Sequence, residues 1–550
     1  PVGTDAFVKS FVDEAADAVI EALRVLARAP LAQARHAIQQ KSLSAKLIYL
    51  QRTVPTGDLG SPLWLTGRRV DSAYRDHVQG LVQHTYLTDR AWRVATTPGS
   101  LGGMGLRTWA DTADVAYLAS YAYSRSIVPS LFPHLGPAFA NPFVVGADAS
   151  SLSASAAAAA RANGRLVAED AGCTAHLAAL APVPLGALAS DSGSVHGLQR
   201  RCSELLHATR VRHHFQGLGV RDRAEHFSHA GDPYFPSCSP TAPDLTISSD
   251  LFSIATARRL LLQITTCSCE VKRCVVCNSS DVDEMGDHSL RCAADSNPLR
   301  RTEWHDASYR VWHQLFRMAG WESRMEVTGA LIGDSNKRPD IMIFRGVGGS
   351  DVFIDFITCL PTKADVVNSA ASTPGHAADL GAAKKMGDWL DLVQRQGDEF
   401  VPIAVESGGR VHEDALDLLS EACGAIGGSP GERQALLTYW RQRISMANAR
   451  GVAAVIKART PLCTGVHHPV QPHHFSHQSA IPAPLRPQQT PHQAALPALT
   501  AWPLLRPPAG AGFCLPCAPT LRTAGCAATS PHSLLVGADD AGLVAGHASG

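Results

Sequence analysis

Residues 338–358 read RPDIMIFRGVGGSDVFIDFIT and hold two short runs of strand-forming residues, Asp340–Phe344 and Val352–Thr358, joined by the glycine-rich turn GVGG. Two such runs bridged by a short glycine-bearing loop predict a β-hairpin. Asp355 lies in the middle of the apolar run VFIDFIT. An ionised carboxylate between Ile354 and Phe356 needs a cationic partner or a metal, because burial otherwise drives it to the neutral form. The hairpin brings Asp340 beside Asp355 at one end of the sheet, and two adjacent carboxylates repel unless a divalent cation lies between them. Mg²⁺ or Mn²⁺ held there would polarise a phosphodiester and lower the pKa of an attacking water. Asp340 and Asp355 are therefore candidate catalytic and metal-ligating residues for nucleic-acid hydrolysis. The alternative is that Asp340 caps a turn and Asp355 pairs with a core Arg or Lys.

Working outward, Trp304, Ser308, Val311, Trp312, Leu315, Phe316 and Ala319 recur on one side of a helix that ends at Gly320. A strand follows over Trp321–Val327. Beyond the hairpin come a helix over 376–395, a strand over 400–405 and a helix over 413–422. The expected order is α-β-β-β-α-β, an α/β core over 301–427, with one more helix over 430–457. The N-terminal half reads as mainly α. Phe7, Phe11, Ala15, Val19, Leu23 and Leu26 repeat at helical spacing, Leu43, Leu47 and Leu50 follow, and a further helix spans about 112–126. An Ala/Ser-rich run at 150–162 marks a boundary, and 195–262 holds two helical patterns around the loop DPYFPSCSPTAPD. Past Thr460 the chain turns rich in Pro, His, Ala and Gly with little periodicity, which predicts disorder. The expected division is 1–135 helical, 136–262 linker and bridge, 263–300 a metal segment, 301–427 the α/β core, 428–459 a helix and 460–550 a tail.

The chain has 550 residues, enough for several units, and its 49 basic and 49 acidic residues leave no net charge. This balance neither supports nor excludes a nucleic-acid partner, since a local basic patch suffices. The 14 cysteines are thinly spread and no signal-peptide pattern opens the chain, which predicts reduced thiols inside a cell. No apolar run approaches the roughly 18 residues of a spanning helix, so no membrane partner is expected. A start at Pro1 suggests a piece of a longer reading frame.

Cys274-x2-Cys277, ten residues, then His288-x3-Cys292 supplies three thiolates and an imidazole, the ligand set of a closed tetrahedral zinc site. Two cysteines in a tight turn can bite one ion, and a His and Cys four apart share one side of a helical turn. Cys267 and Cys269 need no metal, and Cys514-x2-Cys517 has no second pair at usable spacing.

Taken together, RPD, the hairpin, IDF, a lysine-bearing helix and FVPIAVES resemble the PD-(D/E)xK restriction-like endonucleases. The stretch from Cys274 through GDHSLRC into that core resembles the CCHC-plus-nuclease ending of site-specific non-LTR retrotransposon proteins. PVGTDAFVKSFVD, KLIYLQRTVP and PGSLGGMGLRTWADTADVAYLAS, within 1–135, resemble the thumb and connection that follow a retroelement reverse-transcriptase palm. The resemblance implies a nuclear, Mg²⁺-dependent enzyme that nicks target DNA so that the exposed end primes reverse transcription, with element RNA as a further partner. It also implies a catalytic lysine two residues after Asp355, where this chain has Ile357. The AAKK run offers Lys384, which aligns best, or Lys385. Glu326 and Glu406 are possible additional acidic residues at the same edge. No polymerase centre is expected, because the one Asp-Asp pair, Asp539-Asp540, lies in the tail. Ile357 keeps open an inactive relic that binds nucleic acid without cutting it; a second alternative, which a fold lacking the α-β-β-β-α-β core would favour, is a zinc-dependent interaction protein.

Overall fold

The computed structural model describes residues 4–133, 154–169, 198–264, 274, 277 and 283–459, with short breaks at 56–59, 84, 293–297, 333–335 and 347–348. The tail from 460 onward, Asp539-Asp540, Cys514, Cys517, Cys267 and Cys269 lie outside the described residues.

The N-terminal region is helical. Helix α1 (Asp5–Leu26) starts at Thr4, whose hydroxyl accepts the Phe7 N–H, a typical N-cap. It buries Val12, Ala16, Val19, Leu23 and Leu26 against Leu43, Leu47 and Leu50 and against Val70 and Tyr74 of α2 (Pro62–Val82). The expected stripe is thus corrected at its start. The buried face runs through Val12 and Ala16 at i, i+4 spacing, while Phe7 and Phe11 lie a position off it, exposed and stacked on each other. Helix α3 (Trp109–Leu131) extends the expected 112–126 helix at both ends. Asp71 of α2 accepts the Trp109 and Ala110 N–H groups and so satisfies donors that a helix start leaves unpaired. Before α3, Gly103 packs so tightly that a Cβ would lie 2.0 Å from the Thr97 carbonyl oxygen. Helices Ala154–Glu169 and Leu198–Gln216 pack on α3 through Leu166, Cys202 and Leu206. Then come α4 (Val220–Ala230) and α5 (Ser249–Arg259).

The C-terminal region is a mixed α/β core. Its elements are α6 (Pro298–Met318), β1 (Glu322–Met325), β2 (Ile341–Phe344), β3 (Val352–Cys359), α7 (His376–Gln394), β4 (Glu399–Glu406), α8 (Glu413–Ile426) and α9 (Pro430–Arg459). Only a short helix, Val367–Ala370, is added to the expected order. The sheet runs β1-β2-β3-β4, with the first two pairings antiparallel and the third parallel.

Strand β3 is near-continuously apolar because both its faces are covered. Ile354 and Phe356 face Tyr309, Trp312 and Phe316 of α6 and Leu418 and Leu419 of α8. Phe353 faces Trp389 and Val393 of α7, and Ile357 and Cys359 pack with Ala378 and Ala382. Alternation along the strand puts Asp355 on this α7 face. Helix α9 joins the two regions. Trp304 of α6 approaches Gly451 so closely that a Cβ there would lie 2.7 Å from the Trp304 Cα, and the indole N–H donates to Asn448 Oδ1 at 2.7 Å. One apolar cluster unites Ala32, Val78 and Leu81 with Phe252, Trp304, Met446 and Ile456, so it runs across the boundaries expected at 135, 262, 300 and 427.

Candidate functional site

Two groups of side chains carry chemistry. In the first, the Cys274, Cys277, His288 and Cys292 ligand atoms all lie within 4.8 Å of one another. Residues Asp287–Arg291 form a short helix that sets His288 and Cys292 on one side, and Cys292 donates its N–H to the His288 carbonyl at 2.8 Å. The Cys274 and Cys292 sulfurs are 3.8 Å apart and the Cys277 sulfur is 3.3 Å from His288 Nε2. Thiolates bound at about 2.3 Å to a tetrahedral ion stand about 3.8 Å apart, whereas a disulfide needs about 2.05 Å. The donor set and its spacing therefore fit a tetrahedral ion such as Zn²⁺.

This segment is pinned to the core rather than hung from it. Asp283 accepts the N–H groups of Met285, Asp287 and His288. The buried Arg459 at the end of α9 donates to the carbonyls of Ser289 and Cys292. Asp287, next to His288, accepts from Arg221 at 2.9 and 3.1 Å and forms an ion pair with Arg258 at 2.9 Å. Arg258 also pairs with Glu225 at 2.7 and 2.8 Å, and His229 Nε2 lies 3.1 Å from that carboxylate. Burial would raise the Glu225 pKa, but Arg258, His229 and Arg221 hold it far below the usual carboxylate range. Sequence reasoning missed this network, although the Arg258-Arg259 pair inside LFSIATARRLLL was a signal for it.

The second group lies under α7. The β2–β3 register pairs Ile341 with Ile354, which sets Asp340 and Asp355 opposite each other one step on. The carboxyls are close enough that each alters the other's proton affinity. Burial first, and then the Asp340 charge, raise Asp355 to about 6 against the pull of Lys385. Burial would also raise Asp340, but the His305 hydrogen bond and charge, with the Phe356 N–H, bring it below its ordinary value. His305 Nε2 is 3.2 Å and the Phe356 nitrogen 2.7 Å from Asp340 Oδ2. Asp355 Oδ2 accepts from Lys385 Nζ and from the Trp389 indole N–H, the latter at 2.9 Å.

Of the two candidate lysines, Lys385 is the one that meets Asp355. Gly381, Lys385 and Trp389 are spaced four apart and share the sheet-facing side of α7. Gly381 lies over Ile357 and Cys359, so closely that a Cβ would be 2.4 Å from the Cys359 sulfur, and Lys385 one turn on lies over Asp355. Lys384 is rotated about 100° away and is exposed. Glu326 sits at the rim. Its N–H donates to the Asp340 carbonyl, and its carboxylate lies 3.3 Å from Arg338 and 3.5 Å from the Tyr309 hydroxyl. Glu406 lies elsewhere. Asp355 pairs in register with Pro402 and Glu406 with Cys359, four residues or about 13 Å along the strand. There Glu406 accepts the Ala378 N–H at the start of α7, a favourable place for a carboxylate. His305 was not foreseen; the helical repeat that flagged Trp304 and Ser308 placed no weight on the imidazole between them.

Among the described residues no helix is long and apolar enough to cross a membrane. No protein-family model and no curated protein matches this chain.

Proposed function

We propose that Asp340, Asp355 and Lys385 form the catalytic centre of a divalent-metal-dependent DNA endonuclease with a PD-(D/E)xK-like core, in the C-terminal part of a non-LTR retroelement protein. The observation that carries this reading is the convergence of two carboxylates and one ammonium at a single point of the sheet. The mixed sheet β1-β2-β3-β4, with its parallel β3–β4 pair, supports the reading. The sequence resemblance supplies the retroelement context, and with it a nuclear DNA target and element RNA as partners.

In this reading Asp340 and Asp355 would hold Mg²⁺ or Mn²⁺, which would supply Lewis acidity to a phosphodiester and to an attacking water. The chain's own groups do the positioning. The Phe356 N–H fixes one oxygen of Asp340, and the Trp389 indole N–H fixes one of Asp355. Lys385 donates to charge developing on the phosphate oxygens, as a preorganised donor should. Lys337, which covers the Trp389 ring, lies three residues before Asp340 and offers positive charge to the flanking backbone. The Cys₃His cluster holds a structural Zn²⁺ that orders the segment ahead of the core.

Two observations favour a second reading. Lys385 and His305 already satisfy both carboxylates, and Ile357 occupies the usual lysine position on the strand, as an inactive DNA-binding relic would have it. Incubating the intact chain with supercoiled plasmid separates the two. The nuclease reading expects nicking in Mg²⁺ or Mn²⁺ that falls by orders of magnitude in Asp355→Asn. A zinc-loaded, DNA-binding protein that leaves the plasmid uncut in both metals would overturn it.

A further inference from the structure

We infer that a basic groove in the helical region binds a single nucleic-acid strand through its phosphates. The groove shares no side chain with the centre at Asp340 and Asp355, so either can fail without the other.

Two hollows of about 490 and 300 Å³ adjoin there and share Arg93, Thr96 and Asp111. They form one trough, which starts at Arg68 and Arg75 of α2, passes Trp92 and Arg93 of the helix Asp89–Thr96, and ends at Arg210 and His213 of the helix Leu198–Gln216. The chain as a whole has no net charge, yet four arginines line this trough against the two carboxylates of Asp71 and Asp111. Neither carboxylate cancels the excess. Asp111 is taken by Arg210. Asp71 gives its two oxygens to the Trp109 and Ala110 N–H groups, and burial raises it to about 7. Arg75 meets Asp89 at 2.7 Å, which leaves Arg68 and Arg93, both exposed and without an ion pair among the described residues. His214, on the same wall, is held below its ordinary value first by burial and then by Arg90 and Arg93, as a locally positive potential requires.

The shape and lining then select the ligand. A guanidinium is a planar fork that matches phosphate oxygens. A single small anion fills one end of the trough, whereas a strand carries a phosphate on every residue along its length. Trp92 is half-buried and sets an indole beside Arg93, and an aromatic ring in a cationic groove serves a strand whose unpaired bases can stack on it. A duplex turns its bases inward and an acidic peptide has none.

Fluorescence anisotropy of short labelled RNA and DNA strands with the full chain, without Mg²⁺ or Mn²⁺, provides the test. Arg68→Gln combined with Arg93→Gln should weaken binding of at least one strand about tenfold or more. The same variant should reduce the slope of log Kd against log salt by about 1.4, from two contacts at about 0.7 each, with the unfolding midpoint unchanged because both side chains are exposed. The larger loss, in RNA or in DNA, names the strand. Unchanged affinity and slope, a duplex of equal length that loses as much as the strand, or polyglutamate that displaces the strand as readily as unlabelled RNA would each overturn the groove. Plasmid nicking in Mg²⁺ is read on the same variant and on Asp355→Asn. A groove that fails leaves Asp355-dependent nicking in place, and nicking that fails leaves the salt-dependent strand binding.

Discussion

The Lys385 ammonium meets the Asp355 carboxylate from α7, whereas the strand position two residues beyond Asp355 carries Ile357 packed under Gly381. The cation is thus delivered across the layer between helix and sheet. Its neighbour Lys384 faces outward on the same helix. Lys385→Ala should therefore cost about 10²–10³ in cleavage rate, the loss typical of one preorganised donor, and Lys384→Ala less than about tenfold. Single-turnover rates on plasmid decide between them. A larger loss for Lys384→Ala would mean that the helix presents its other face to the substrate.

The Cys₃His cluster should hold one zinc per chain and contribute to folding, since binding to a preformed site adds its free energy to that of the fold. Arg459 and Asp287 tie the segment to α9 and α5, so losing the ion should loosen more than a local loop. Cys277→Ser and Cys292→Ser should each lose zinc by elemental analysis and lower the melting temperature by several degrees. Zinc-free protein that melts with the wild type would remove the structural role.

Burial depresses the histidines His207, His214 and His229 in the helical region, and pushes His36 and His77 to about 4 and His226 to about 3. Unfolded, each titrates near 6.5. Their folded pKa values lie below the unfolded ones, so the stability they contribute is present above 6.5 and is lost as pH falls toward 4. His305, shifted upward by Asp340 and Asp306 despite its burial, and the buried carboxyls Asp71, raised to about 7, and Asp355, raised to about 6, oppose them with fewer protons. Denaturant titrations should show stability falling between pH 6.5 and 5, with His36, His77 and His226 each contributing up to about 1.4 kcal/mol per pH unit. A flat profile there would mean these imidazoles are solvated.

Glu225 and Arg258 are both buried and joined by one hydrogen bond at 2.8 Å and an ion-pair contact at 2.7 Å. Glu225→Gln keeps the shape but leaves Arg258 balanced only by Asp287. Removing one partner of a buried pair costs about 3–5 kcal/mol, so chemical unfolding should show a loss near that size. Replacing both residues by apolar ones should cost less than Glu225→Gln alone. The opposite ranking would contradict the assignment of the cost to an uncompensated charge.

Much of this architecture was legible in local sequence. Alternation and the GVGG turn gave β2 and β3, and Cys-x2-Cys with His-x3-Cys gave the thiolate cluster, because each depends on residues close along the chain. Helical phase was legible only to within one residue. Lys384 and Lys385 differ by about 100° around α7, and only the small Gly381 and large Trp389, both facing the sheet, fix which one turns inward. The same uncertainty moved the α1 stripe off Phe7 and Phe11. His305, Glu406 at the start of α7, and the Arg258–Glu225–Asp287 network depend on contacts between elements distant in sequence, which periodicity does not carry.

Anomalous diffraction from crystals of the intact chain grown in Mn²⁺ tests the central claim most directly. The account predicts a manganese peak about 2.2 Å from oxygens of both Asp340 and Asp355, with Lys385 drawn off Asp355 and a separate zinc peak at the Cys₃His cluster. Crystals showing the zinc peak, no manganese at saturating concentration, and Lys385 still paired with Asp355 would contradict it.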